Sequence, residues 1–169
     1  MSGGLPARIE VGRAAAKRLT LEGRLPWRRL NRVVRLLSDS AGEVSYRLEF
    51  GRDAQGRAQV TGSLTGAATL ICQRCLQPMT WRFELPVELQ LLRTEAEEAA
   101  ARSDCMLVQD DALNPGDLIE DELLLALSGA PKHTDTAECG MAREADPLQQ
   151  APEPARRPFA ALAKLKTRH

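Results

Sequence analysis

Of the four cysteines and two histidines in this sequence, Cys72, Cys75, His133 and Cys139 form a candidate set for holding a soft metal ion. The first two stand in "TLICQRCLQPMTWRFEL" (69–85), a C-x-x-C with Pro78 just behind it and β-forming residues on both sides. Three chemistries use that spacing. A redox couple needs its attacking thiol at a helix N-terminus within a βαβ unit, and here strands flank the motif, which disfavours it. A zinc knuckle suits a hairpin turn but needs two further ligands, because structural Zn²⁺ is four-coordinate. "PKHTDTAECG" (131–140) supplies them as His133 and Cys139, giving a Cys₃His set that ties a sheet to a distant loop. In the third chemistry, Cys72 and Cys75 are simply small apolar side chains packed inside. Cys105, before "MLV", reads as a core residue.

The flanking pattern says what must position these groups. "VSYRLEF" (44–50) alternates Val44, Tyr46, Leu48 and Phe50 with polar residues, a period of two that predicts a half-buried strand. "RDAQG" reads as a hairpin turn. Residues 57–72 read as one long strand or a strand pair, with Gly62 and Gly66 placed for a bulge or a barrel bend. Residues 79–92 alternate again, with Trp81, Phe83, Leu85, Val87, Leu89 and Leu91 in one set. Before these strands, 13–20 reads as a short helix and "LEGRLPW" as turn chemistry at Gly23 and Pro26. Leu30, Val33, Val34 and Leu37 fit a helical stripe. After them, Asp117 is a candidate N-cap for an acidic-fronted helix over 118–127, stopped by Ser128-Gly129 and Pro131. The expected fold class is α+β: a small curved antiparallel sheet or open barrel with flanking helices, with zinc as a candidate staple. Its domain is expected over 1–139, followed by a Pro-rich linker (140–157) and a short basic helix (158–169).

The 169 residues carry no net charge, yet the charge is blocked. Residues 1–85 hold 14 basic against 7 acidic side chains, 86–153 hold 4 against 16, and 154–169 hold 5 against none. Such blocks either neutralise one another within the fold or present a basic face and an acidic face to partners. No apolar run reaches the ~18 residues of a membrane span, and the N-terminus has no apolar signal core, so a cytoplasmic protein with reduced thiols is expected. Catalytic constellations are missing from the sequence: two histidines, no G-x-S-x-G and no P-loop. Asp117, Glu120, Asp121 and Glu122 invite comparison with a Mg²⁺ nuclease site, but 120–122 diverge around a helix and suit the dipole of its first turn instead.

Three motifs then occur together: "CQRCLQP" after a strand, "DLIEDELLLAL" followed by "PKH", and "PFAALAKLK" near the C-terminus. In these the chain resembles the YceD family of large ribosomal RNA subunit accumulation proteins, over roughly residues 5–169. The matching positions are Cys72, Arg74, Cys75 and Pro78 in the hairpin, and Asp117, Leu118, Glu120, Glu122 and Leu125 in the helix. Pro131, His133 and Cys139 follow, then Pro158, Phe159, Leu162 and Leu165 in the tail. "LSGAPKH" departs from the Pro that usually follows this helix directly.

The resemblance implies a non-enzymatic ribosome biogenesis factor needed for 23S ribosomal RNA accumulation and large-subunit assembly. Two kinds of action follow. One is direct RNA binding by Arg24, Arg28, Arg29, Arg32 and Arg35 beside Trp27, extended by Arg74 and Arg82, since arginines hold phosphates and an aromatic ring stacks a base. The bland alternative is a solvated helix face around a core tryptophan. The other action is that of an adaptor, in which the acidic region, Glu120 and Glu122 included, holds a basic ribosomal protein. In either case Phe159, Leu162 and Leu165 are expected to dock on a hydrophobic groove of this domain or of a partner.

Overall fold

The computed structural model describes residues 4–94, 97, 104–135 and 137–139. The expected linker over 140–157 and the helix over 158–169 lie outside the described residues. Strand β1 (Ile9–Glu10) leads into helix α1 (Val11–Ala16), and four strands follow: β2 (Thr20–Pro26), β3 (Glu43–Arg52), β4 (Ala58–Ile71) and β5 (Pro78–Leu92). Next come β6 (Cys105–Leu107), β7 (Ala112–Leu113) and helix α2 (Pro115–Ala126). β2 to β5 form an antiparallel meander, β6 adds in parallel to β5, and β1 pairs with β7 in a separate two-stranded ladder. This is the α+β class expected, with an open five-stranded sheet.

The two-residue alternation decides which face is inside. Val44, Tyr46, Leu48 and Phe50 of β3 are buried, as are Val60, Leu64, Ala68 and Leu70 of β4. Their row-mates on the opposite face are small and polar at the centre: Thr61, Ser63 and Thr65 of β4, paired across β3 with Glu49, Arg47 and Ser45. The helices cover only the apolar face, through Val11 and Ala14 of α1 and Leu118, Ile119 and Leu123 of α2, all in one core. The glycines of β4 do not make a bulge, for its register with β3 and β5 is unbroken. They allow close approach instead. A Cβ on Gly62, at φ +157°, would lie 1.8 Å from the Arg47 carbonyl oxygen, and one on Gly66 would lie 2.8 Å from the Phe83 ring.

Three expectations are corrected. "LEGRLPW" is a strand rather than a turn: Gly23 passes beneath the Tyr46 hydroxyl, 2.9 Å from where a Cβ would sit, and Pro26 is tolerated because it ends an edge strand. Residues 30–37 do not form an α-helix; within them only Val33–Leu36 is helical, as a 3₁₀ turn that follows a first one at Trp27–Arg29. The cap of α2 is Asn114, whose side chain accepts the Gly116 N–H at 3.0 Å, with Pro115 at the first helical position; Asp117 sits inside the first turn.

Glu120 explains how those 3₁₀ turns are held. It projects from α2 into the core, 5% exposed, and its Oε1 accepts the backbone N–H groups of Arg32 and Val33, the latter at 3.0 Å. Arg32 Nε donates to Oε2 at 3.1 Å and its other nitrogens reach Asp121 and the Asp117 carbonyl. Burial pushes the Glu120 carboxyl up, but these N–H groups and the guanidinium outweigh it and hold it below the ordinary carboxylate range. Glu120 is therefore an internal cap, not a partner-facing side chain, and the half-exposed Arg32 guanidinium is already engaged by Glu120 and Asp121. Glu120→Gln is expected to cost about 2 kcal/mol in a denaturant titration, the scale of hydrogen bonds to a charged group. Because the folded pKa is depressed, that contribution is complete above ~4.3, the unperturbed value, and is lost as pH falls through the folded one.

Candidate metal centre

The β4–β5 hairpin presents the first two candidate ligands. After Ile71 the Cys72 N–H donates to the Gln77 carbonyl at 2.9 Å and the Leu76 N–H returns to the Cys72 carbonyl at 2.8 Å. Leu76 closes the turn at φ +60°, a conformation rarely taken by a bulky residue. Gln73 N–H then donates to the Pro131 carbonyl at 2.7 Å, fastening the hairpin tip to the chain that leaves α2. That chain carries His133, and a 3₁₀ turn over Ala137–Cys139 brings in Cys139.

The four ligand atoms converge within 4.8 Å of one another. Cys72 and Cys139 Sγ are 4.0 Å apart, and His133 Nδ1 is 3.5 Å from the Sγ of both Cys75 and Cys139. A tetrahedral zinc ion, with Zn–S ~2.3 Å and Zn–N ~2.0–2.1 Å, requires S···S edges of roughly 3.8 Å and S···N edges of roughly 3.6 Å. The donor set and its spacing therefore fit a structural Cys₃His zinc site. Cys72 and Cys139 are buried while Cys75 and His133 are half-buried, so the site has a dry side and a side near solvent. Burial pushes the Cys72 thiol up, but N–H groups of Cys75, His133 and Arg74 more than offset it and bring it down to about 5. Cys139 goes the other way, to about 11, through burial and the neighbouring Cys75 and Cys72 sulfurs. One thiolate is thus ready for a cation and a second thiol is held back by it, which is the pattern of ligands crowded around a shared charge. Cys105 stands apart in β6, half-buried.

The other candidate site residues separate into groups. Arg28, Arg29 and Arg35 are exposed on the two 3₁₀ turns, and no carboxylate among the described residues lies within 4.0 Å of them. Arg24 is also exposed but pairs with Glu43 at 3.2 Å. Trp27 is fully buried and tilted against Phe83, with ring centroids 6.1 Å apart, so it offers no face to a base. Arg74 is exposed at the hairpin tip, and Arg82 is exposed on the outer sheet face, two residues from Glu84 along the same face of β5. The sheet consequently does not extend the arginine patch as a continuous basic stripe. Phe159, Leu162 and Leu165 lie outside the described residues.

A groove between β5 and α2 was not legible as such in the sequence. Its signal was present in the alternation that puts Trp81, Leu85 and Leu89 on one face of β5. One stretch, about 710 Å³, has Leu85, Leu89, Met106 and Leu125 in its lining, with Asp104, Asp121 and Glu122 among them. Burial pushes the Glu122 carboxyl up, and the charges of Asp104 and Asp121 push it further. The next stretch, about 920 Å³, runs past Trp81 to Pro131 and Glu138 beside the metal centre.

No helix among the described residues is long and apolar enough to cross a membrane. No solved structure matches the chain. A family model described as large ribosomal RNA subunit accumulation protein YceD matches residues 60–166, which takes in most of β4, β5, the four metal-ligand candidates, α2 and most of the C-terminal segment. The arginines at 24–35 precede that match. Since it covers more than half of the sequence, and the hairpin, helix and loop it spans are those that build the Cys₃His cluster, the chain belongs to the YceD family.

Proposed function

We propose that this chain supports the accumulation of large-subunit ribosomal RNA, the role its family's name carries, as a non-catalytic RNA-binding protein with a zinc-stapled hairpin. The observation that carries the RNA reading is the set Arg28, Arg29 and Arg35, exposed on one short segment and without a carboxylate partner among the described residues. A guanidinium already paired to a carboxylate must give up that contact before it meets a phosphate, whereas these three are available. Buried Trp27, Leu30 and Val33 anchor the segment, so the charges stand on a fixed base rather than on a free loop. Arg74 at the knuckle tip supplies a further contact, whose position the metal would fix. Zinc, when bound to Cys72, Cys75, His133 and Cys139, supplies a covalent-strength clasp between the hairpin and the 131–139 loop.

Binding of the full chain to large-subunit ribosomal RNA, measured at several salt concentrations, tests this reading. With three to four phosphates contacted, log K is expected to fall against log salt with a slope of roughly −2 to −4. A flat salt response, or no binding at low salt, contradicts it.

A further inference from the structure

The β5–α2 groove has an unusual combination of walls. Trp81, Leu85, Leu89 and Leu125 give it apolar surface, and Leu125 is 81% exposed, a large apolar side chain with nothing over it among the described residues. Asp104, Asp121 and Glu122 line its edge; Asp121 is already paired with Arg32, while Glu122 lies close enough to Asp104 and Asp121 to feel their charge. Ala126 lines both stretches, so they adjoin at the end of α2. A ligand for it must be apolar on one side and cationic on the other.

We infer that the occupant is the C-terminal segment of the same chain, residues 158–169, which docks in cis along this groove. The inference does not depend on the RNA-binding reading. In "PFAALAKLKTRH" Phe159, Leu162 and Leu165 recur every three residues, one stripe of a helix, and Lys164, Lys166 and Arg168 cluster toward the end. Arg156 and Arg157 precede them, and no acidic residue follows Glu153. The apolar stripe matches the groove's walls and the cations match its carboxylates. Phosphate binding would use the cations but leave Phe159, Leu162 and Leu165 without a role.

Length and tether agree. A 12-residue helix is ~18 Å long, and the run of β5 from Trp81 to Leu89 offers ~27 Å. The described chain ends at Cys139, next to Glu138, which itself lines the groove. Eighteen residues, 140–157, lie between, and a chain of that length spans ~25 Å at coil dimensions, enough to lay the segment along the groove. A tether of that length sets a local concentration on the order of millimolar, so a weak intrinsic contact is sufficient and a second copy at ordinary concentration competes poorly.

Carbodiimide coupling of the full chain tests this, because it joins amines to carboxylates already in contact. Links from Lys164 or Lys166 to Asp104 or Glu122 are expected, and their yield should not change on dilution. In a mixture of ¹⁴N- and ¹⁵N-labelled protein they should be found within single chains. Leu125→Lys removes an exposed apolar contact and adds repulsion, and Phe159→Asp does the same from the tail. Each is expected to lower the docking equilibrium roughly tenfold or more, the scale of one buried apolar side chain. Methyl spectra of Leu85, Leu89 and Met106 should shift in both variants in the same direction, while the thermal transition of the domain stays put. Links spread over carboxylates remote from the groove, links between ¹⁴N and ¹⁵N chains, or groove methyls indifferent to Phe159→Asp would overturn the inference.

Discussion

Replacing Cys72 or Cys139 with serine is expected to leave the purified protein without stoichiometric zinc, where the parent holds about one ion per chain. Serine keeps the size but not the thiolate, and three remaining ligands around a buried vacancy cannot complete the tetrahedron. Structural zinc contributes apparent binding energies of ~10–16 kcal/mol in small peptides that have no other core. Here the sheet has its own core, so the loss should be local. The protected amides to watch are Gln73, bonded to Pro131, and Cys72 and Leu76, bonded within the hairpin. Their exchange should accelerate by orders of magnitude, while amides of β3 and the middle of β4 change little. Cys105→Ser is the control, since that thiol is outside the cluster, and it should retain the metal. Acid should mimic the serine variants. All three thiolates and a neutral His133 must be kept to hold the ion, so protons compete with the metal and zinc should be released progressively as the pH falls. Reduced parent protein that carries no stoichiometric zinc at neutral pH would refute the staple.

Much of this geometry was legible because two-residue alternation is a strong signal when one face of a sheet is covered. Val44 to Phe50 and Trp81 to Leu91 placed the central strands, and a hairpin between them placed Cys72 and Cys75. What alternation cannot carry is a contact that depends on a distant side chain. Gly23 and Pro26 look like turn residues, yet the first yields space to Tyr46 and the second ends an edge strand. β6 and β7 are three and two residues long, too short for any period to register. The stripe Leu30, Val33, Val34 and Leu37 fits a helix by spacing, but Glu120 from α2 takes the backbone N–H groups of Arg32 and Val33 and favours 3₁₀ turns instead. That same contact makes Glu120 an internal charge and engages the half-exposed Arg32 with it. Trp27, read beside five arginines as a stacking platform, faces Phe83 in the core because the turn that follows it folds inward. The Cys₃His set was recoverable for a simpler reason: few residue types can ligate soft metals, so the inventory was short even though the two halves are far apart in sequence.

Those corrections sharpen the RNA experiment. Arg32 must be left alone, because reversing its charge would strand buried Glu120 and confuse unfolding with loss of binding. Arg28→Glu, Arg29→Glu and Arg35→Glu together touch only exposed guanidiniums, so the thermal transition should stay within a few degrees of the parent. Their effect on RNA should be large. Three attractions to phosphate become three repulsions, and the loss of three contacts alone is expected to lower affinity by about 10³-fold at low salt. Neutral Gln substitutions at the same positions should lose less affinity but show the same fall in salt slope, about one unit for each contact removed. Glu95→Gln, Glu97→Gln and Glu98→Gln form the counterpart on the acidic half and should bind RNA at least as tightly as the parent. Arginine variants that bind large-subunit RNA like the parent, combined with acidic variants that no longer restore RNA accumulation in cells, would transfer the function to the acidic region. The basic partner would then be a ribosomal protein, and the arginine segment no more than a solvated face.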